Sequence, residues 1–281
     1  MLLTVLGTAT PYPRPDNPCS GYLLQSTPAE AVLAGEADPA RTTVWIDAGS
    51  GTLAELQRHT SLHELSAIWI SHRHADHSAD LLVAYYALRF AEERPRHPIP
   101  LIGPEGLLDR LAAFLGPSSV AELPTVFDFR PMSGWGEARF GELALSWGPV
   151  QHGVPAFGLT VDGDGSRFAY SGDSAPCISL EEIAENADLL LIEAGYDRDP
   201  AALPASQAGP GAGRRPHDDE PEAPAHHTPE QAGRVAAAAG VARLVLTHVA
   251  ASVTPADAVA RAAAHFAGPI SYATPGATYP L

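Results

Sequence analysis

Only two cysteines, Cys19 and Cys177, occur in the 281 residues. They are too few for a disulfide framework and lack metal-site spacing with each other, which points to a reduced, cytoplasmic setting. Lysine is missing: the 17 basic residues are arginines, they face 33 acidic ones, and the formal net charge is −16. No basic run breaks that field, and two bound divalent ions would leave it strongly negative. A phosphate backbone is repelled, so long nucleic acids are excluded as partners. Long apolar runs are also missing. No window approaches the roughly 18 apolar residues needed to span a bilayer. The opening "MLLTVLGTATPYP" has no basic leader and too little apolar length for a signal segment, so it reads as a first strand.

What is present is enough apolar material for a sizeable core, 45% of the chain, with abundant Ala, Gly and Pro. Residues 1–281 read as a single large domain. Short β-rich runs bounded by Gly, Pro and Asp recur: "LLTVL" at 2, "GYLLQ" at 21, "TVWID" at 43, "AIWI" at 67, then "TVFDF", "LALSW", "FGLTV" and "RFAYS". Helical patterns alternate with them near 78–93, 104–115, 180–187, 228–239 and 255–266. Two sheets covered by helices, an α/β sandwich, is the economical architecture. Two stretches read as insertions, near 26–41 and 198–225. The second is rich in Pro and Gly, carries "HDDEPE", and is either a lid over a site or a solvated loop.

Three of the 12 histidines fall within "WISHRHADHSAD", directly after the run "AIWI". In an extended turn, residues two apart point the same way. His72 and His74 can therefore share one cation, while Asp76 and His77 turn toward another. Four ligands do not complete two sites. The others should again stand where strands run out, a condition met by His152 after "LALSWGPVQ", Asp173 in "SGDS" and His248 at the end of "RLVLTH". With Asp173 bridging, the set divides into His72, His74 and His152 on one ion and Asp76, His77 and His248 on the other. The bland alternative is a solvated loop in which Asp76 caps a helix. The aromatics Trp69, Tyr85, Tyr86 and Phe90 read as core packing, or else as pocket lining or contact with a second chain in a homodimer.

With those residues set out, the chain resembles the metallo-β-lactamase superfamily, whose pattern H-x-H-x-D-H is followed by a distant His, an Asp and a last His. "SHRHADH", His152, "SGDS" and "LTH" stand in that order, and the likeness runs from "LTVLGTATPYPRPDNPCSGYLL" to the end. It implies an αββα four-layer sandwich with a dinuclear centre along one edge. The aspartate in "SGD" resembles the ribonuclease Z-like branch, since β-lactamases proper carry a cysteine there. In that branch "LLLIEAG" aligns Glu193 with an acidic residue and "HHTPEQAGRVA" aligns His226 with the histidine of an H-x-T/S motif. The resemblance thus implies that Asp76, His226 and Glu193 act in catalysis, His226 as proton donor assisted by Glu193. His227, beside it, is the rival donor.

Ribonuclease Z carries a tRNA-gripping arm after its third metal histidine, and "GVPAFGLTVDGDGSRFAYSGDS" leaves no room for one. The layout is more similar to atypical class II cyclic-nucleotide phosphodiesterases, through "PDNPCSGYLL", "YSGDS" and "LTH". It departs from them in its longer 198–225 loop and in Arg73 inside the motif, which predicts a different pocket shape. Two divalent ions are expected, zinc by ligand type, with manganese or iron also suited. Held about 3.5–4 Å apart, such ions lower the pKa of a shared water, so a bridging hydroxide is the expected nucleophile toward a small phosphodiester. The alternatives are a lactone or thioester hydrolase, a mononuclear iron oxidoreductase and a non-catalytic binding module.

Overall fold

A computed structural model describes residues 1–26, 41–90, 97–199 and 226–281. Nearly all of the two expected insertions, 26–41 and 198–225, lies outside the described residues, and so does the question of a lid.

Among the described residues the apolar runs form fourteen strands: β1 (Leu2–Gly7), β2 (Gly21–Gln25), β3 (Thr43–Ile46), β4 (Ala67–Trp69), β5 (Ile99–Pro104), β6 (Phe127–Met132), β7 (Gly136–Phe140), β8 (Leu143–Val150), β9 (Ala156–Gly163), β10 (Ser166–Tyr170), β11 (Leu189–Ala194), β12 (Leu244–Val249), β13 (Ile270–Tyr272) and β14 (Thr278–Pro280). One seven-stranded sheet has the order β14-β1-β2-β3-β4-β5-β6, the other β13-β12-β11-β10-β9-β8-β7. Each sheet is half parallel: β3 to β6 in the first and β10 to β13 in the second. Parallel neighbours need crossovers, which are supplied in the first sheet by α1 (Thr52–Leu56), the single turn α2 (Ala75–Ser78), α3 (Asp80–Phe90), α4 (Leu107–Leu115) and α5 (Ser119–Val126). The second sheet is covered by α6 (Ile178–Ala184), α7 (Pro229–Ala238) and α8 (Pro255–Ala263).

Three apolar layers follow. Tyr22, Trp69, Phe157, Phe168 and Tyr170 fill the space between the sheets. Trp45, Ile68, Leu101 and Phe127 pack under the first set of helices, and Leu190, Ile192 and Leu246 under the second. The result is the αββα sandwich, each fully buried large side chain contributing roughly 1.5–3 kcal/mol. Trp69 and Tyr85 are core residues, whereas Tyr86 and Phe90 are 50% and 63% exposed and stack at 5.8 Å on the outside of α3.

Several boundaries differ from the expected ones. The helix expected from 78 is broken after Ser78 and resumes at Asp80, whose Oδ2 accepts the Leu53 amide at 2.7 Å and pins α3 to α1. Thr125 and Val126, expected to open a strand, close α5 instead. Strand β5 carries Pro100 and Pro104, a composition that argues against a central strand, yet it pairs in parallel with β4 and β6.

Candidate metal centre

The parallel strands run toward one edge of the sandwich, and the turns there bring the polar side chains together. After β4, Ser71 donates its amide to Asp47 Oδ1 at 2.7 Å, which bends the chain into the histidine segment. His74 is extended (φ −64°, ψ 152°) and precedes α2, so His72 and His74 face one way while the helical turn carries Asp76 and His77 to the other.

His74 Nδ1 lies 3.0 Å from His72 Nε2 and 3.1 Å from His152 Nε2. Three imidazole nitrogens converging this closely suit one cation bound at about 2.0–2.1 Å by each. Beside them, His77 Nε2 approaches Asp173 Oδ1 at 3.2 Å, and His248 Nε2 lies 3.3 Å from Asp76 Oδ2 and 3.4 Å from Asp173 Oδ2. In each of these two groups the donor atoms all lie within 4.8 Å of one another. Asp173 links them, since its Oδ2 is also 3.8 Å from His72 Nε2. Among the described residues neither His77 Nε2 nor Asp173 Oδ1, both buried, finds a hydrogen-bond partner. Buried polar atoms are rarely left so, and here both face the same space. The donor set therefore fits two cations, divided as the sequence spacing suggested.

His248 reaches the centre through an irregular backbone. In the pairing of β11 with β12, Glu193 faces Thr247 and Ala194 faces Val249, so His248 is bulged out, with φ +46°. Such a conformation is strained for a non-glycine residue and turns the side chain off the ladder direction.

One organising residue was not anticipated from sequence. Asp47, buried at the end of β3 with φ +55°, accepts from His77 Nδ1 at 2.7 Å, Ser71 Oγ at 2.8 Å and Tyr170 Oη at 2.8 Å, all through Oδ2. His77 thus donates from Nδ1 and presents Nε2 to the centre. Ser71 Oγ also stands 3.0 Å from His72 Nδ1 and fixes that ring in the same sense. The only signal was the aspartate ending "TVWID", read there as strand punctuation.

The charges are coupled. Burial alone would lower His77, but Asp173 and Asp47 hold it well above the usual histidine range. Burial and the charge of His77 drive His72 well below it. Asp173 and Asp76 are both held below the carboxylate range against the cost of burial, chiefly by His248, with His77 assisting. Two buried carboxylates kept ionised favour cation capture, and each proton lost from a neighbouring imidazole is then replaced by metal charge.

Glu193 and His226 form a separate pair at the rim. Glu193 is fully buried; Oε1 accepts from Ser174 N at 3.0 Å and His226 Nδ1 at 3.0 Å, and Oε2 accepts from Gly195 N at 2.6 Å. Burial opposes ionisation of Glu193, but His226 outweighs it and holds the carboxyl below its ordinary value. The imidazole of His226 is correspondingly pushed up to about 9 by Glu193 despite its own burial. Its Nδ1 is 3.9 Å from Asp173 Oδ2, and its ring stacks on His248 at 5.7 Å and meets Tyr196 edge-on at 5.0 Å. Thr228 caps α7 in a reciprocal pair with Gln231, which anchors the residues just before it. His227 is fully buried, neither ring nitrogen has a hydrogen-bond partner among the described residues, and burial lowers its pKa. The structure therefore brings together the seven expected ligands, Glu193 and His226, whereas His227 meets Glu193 Oε1 only through its backbone amide, at 3.3 Å.

Residues 42–249 match the family described as the Beta-lactamase superfamily domain. The chain belongs to the metallo-β-lactamase superfamily, in its ribonuclease Z-like branch. It is a hydrolase of that fold. It is 32% identical over 274 residues to an uncharacterized protein of Mycobacterium tuberculosis (strain ATCC 25618 / H37Rv), covering 95% of this chain and 88% of that protein. It is 27% identical over 276 residues to Ribonuclease Z of Mycobacterium bovis (strain BCG / Pasteur 1173P2), covering 90% and 87%. Among solved structures, the metallo-beta-lactamase fold protein YhfI from Bacillus subtilis superposes with a TM-score of 0.77 at 21% identity, covering 99% of this chain and 98% of that one. Unliganded yeast PDE1 superposes at 0.66 and 14% identity, covering 100% and 99%. These two likenesses are of fold. No helix among the described residues is long and apolar enough to cross a membrane.

Proposed function

We propose that this hydrolase cleaves a small phosphodiester, such as a cyclic nucleotide, using two divalent cations, zinc by ligand type. The observation that carries the reading is the convergence of His72, His74, His152, Asp76, His77, Asp173 and His248 beside His226, whose Nδ1 is held by the buried Glu193 at 3.0 Å. When bound, such cations supply Lewis acidity, activating water and offsetting charge on the phosphoryl oxygens.

The chain's own residues do the rest. Asp47 and Ser71 fix the ring orientations of His77 and His72. Glu193 keeps His226 charged through Nδ1, so that Nε2 carries a proton for the departing alkoxide. A phosphodiester needs that proton because an alkoxide is a poor leaving group. The acidic molecule and the direct hairpin from β9 to β10, where no arm is inserted, favour a small substrate over long nucleic acid. Both cysteines are free thiols, in keeping with a cytoplasmic setting.

The test couples metal stoichiometry with turnover on cyclic AMP, bis-p-nitrophenyl phosphate, a lactone and a thioester. Two cations per chain and diester turnover are expected. Inert diesters with rapid lactone or thioester cleavage would overturn the substrate class, and one iron per chain would overturn the dinuclear reading.

A further inference from the structure

Two buried hydroxyl pairs cross from one sheet to the other next to the donor cluster. Alternation along β2 and β10 points Tyr22 and Tyr170 into the apolar layer between the sheets, while Leu23 and Ala169 face the helices. Tyr22 leaves the first sheet, and its Oη meets Thr247 Oγ1 of the second at 2.6 Å. Tyr170 leaves the second sheet and donates to Asp47 Oδ2 of the first at 2.8 Å. The two rings meet edge-on at 5.2 Å, and all four residues are at most 1% exposed. Burial pushes both phenols above their ordinary range, so each keeps its proton. Stability alone does not call for these bonds, because apolar side chains of the same shape would fill such a layer about as well. What a hydrogen bond adds is a fixed distance and direction. Each pair ends behind one imidazole of the same donor group: Asp47 also takes the Nδ1–H of His77 at 2.7 Å, and Thr247 immediately precedes the bulged His248. These two imidazoles come from opposite sheets, their rings 5.1 Å apart. The other donor group is closed differently. Beside His72 the backbone itself joins the sheets, Phe157 N donating to Ser71 O at 3.0 Å.

We infer that Tyr22 and Tyr170 are positioning residues that set the distance between His77 and His248. The cation expected at Asp76, His77 and His248 then depends on the two hydroxyls, whereas the one expected at His72, His74 and His152 does not. The inference rests on the two-cation reading and makes the two sites unequal. One is aligned by main-chain pairing, the other by side-chain bonds that a single oxygen can break.

The test titrates the metal-free full chain with zinc in competition with a chromophoric chelator, and records the visible spectrum of the cobalt-loaded protein. The wild type is compared with Tyr22→Phe, Tyr170→Phe and the double variant, each substitution keeping the ring and removing one oxygen. One of the two zinc affinities should fall by about tenfold in each single variant and further in the double variant, with the other unchanged. The absorption of the weakened cobalt site should shift while that of its neighbour stays. Thr247→Val should reproduce the loss seen in Tyr22→Phe, and Thr247→Ser, which keeps a hydroxyl, should restore most of it. Tyr85→Phe removes a phenol bond to Glu122 in the outer helices and should alter neither affinity. A merely structural role would lower the melting temperature of the metal-free variants and leave both affinities as they were. That result, or equal weakening of both sites, would overturn the inference. A wild-type chain that holds a single cation would overturn the two-cation reading itself, and the inference with it.

Discussion

Asp47 donates no atom to the convergence point, yet it takes a hydrogen bond from the ring of His77 and others from Ser71 and Tyr170. Asp47→Asn keeps the size and removes the charge that favours the Nδ1–H form of that ring. Metal affinity should fall about 10–100-fold, the usual cost of losing such support. Competition with a chromophoric chelator measures it; an unchanged affinity would mean His77 is oriented by packing alone. His226→Ala should lower kcat by about 10²–10⁴-fold on a diester with a poor leaving group while both cations remain bound. On a p-nitrophenyl ester, whose leaving group needs no proton, the loss should be far smaller. The ligands were legible because each is a metal-binding residue type at a strand end, a pattern visible along a line of letters. Asp47 was not, because its role depends on β3 lying beside β4, a neighbour relation that no spacing records.

The helices over the second sheet are held by small residues and one arginine. Gly233 in α7 lies so close to α8 that a methyl group there would meet the Ala262 carbonyl oxygen at 2.4 Å. Gly233→Ala should therefore destabilise the fold by about 1–3 kcal/mol, although alanine is the better helix former. Thermal melting decides the sign. Arg261 ties the same two helices, reaching Glu230 at 2.8 Å and Asp197 at 2.9 Å, and it depresses Glu230 to about 2. A depressed carboxylate stabilises the fold above its ordinary pKa, and that contribution disappears as pH falls toward 2. Glu230→Gln should accordingly lower the melting temperature modestly at pH 7 and hardly at all near pH 2; a gap constant with pH would show that charge is not involved. The long periodic helices and the buried strands were readable in the sequence. Strands β5, with its prolines, and β14, three residues long, were not, since pairing with β4 and β6 in the one case and with β1 in the other, rather than their own propensity, holds them extended.

Four of the expected ligands, His72, His74, Asp76 and His77, come from the first sheet, and three, His152, Asp173 and His248, from the second. Cations bound across that seam favour the folded state over the unfolded one. Stripping the protein with a chelator should lower its melting temperature, and restoring metal should reverse the change. Zinc added to Asp173→Ala should recover far less of it, and that variant should also lose turnover. Equal melting with and without metal in the unsubstituted protein would separate stability from the centre altogether. The fold class was evident from the order of strands and helices, whereas the placement of the donors along one edge required the two sheets to face each other.

Because the first sheet is built almost wholly from the amino-terminal half and the second from the carboxyl-terminal half, a ribosome finishes one rim of the centre long before the other. The last donor, His248, emerges only after the other six. Completion of the cluster therefore waits for β12, and a truncated product lacking that strand would be left with an open cluster of imidazoles.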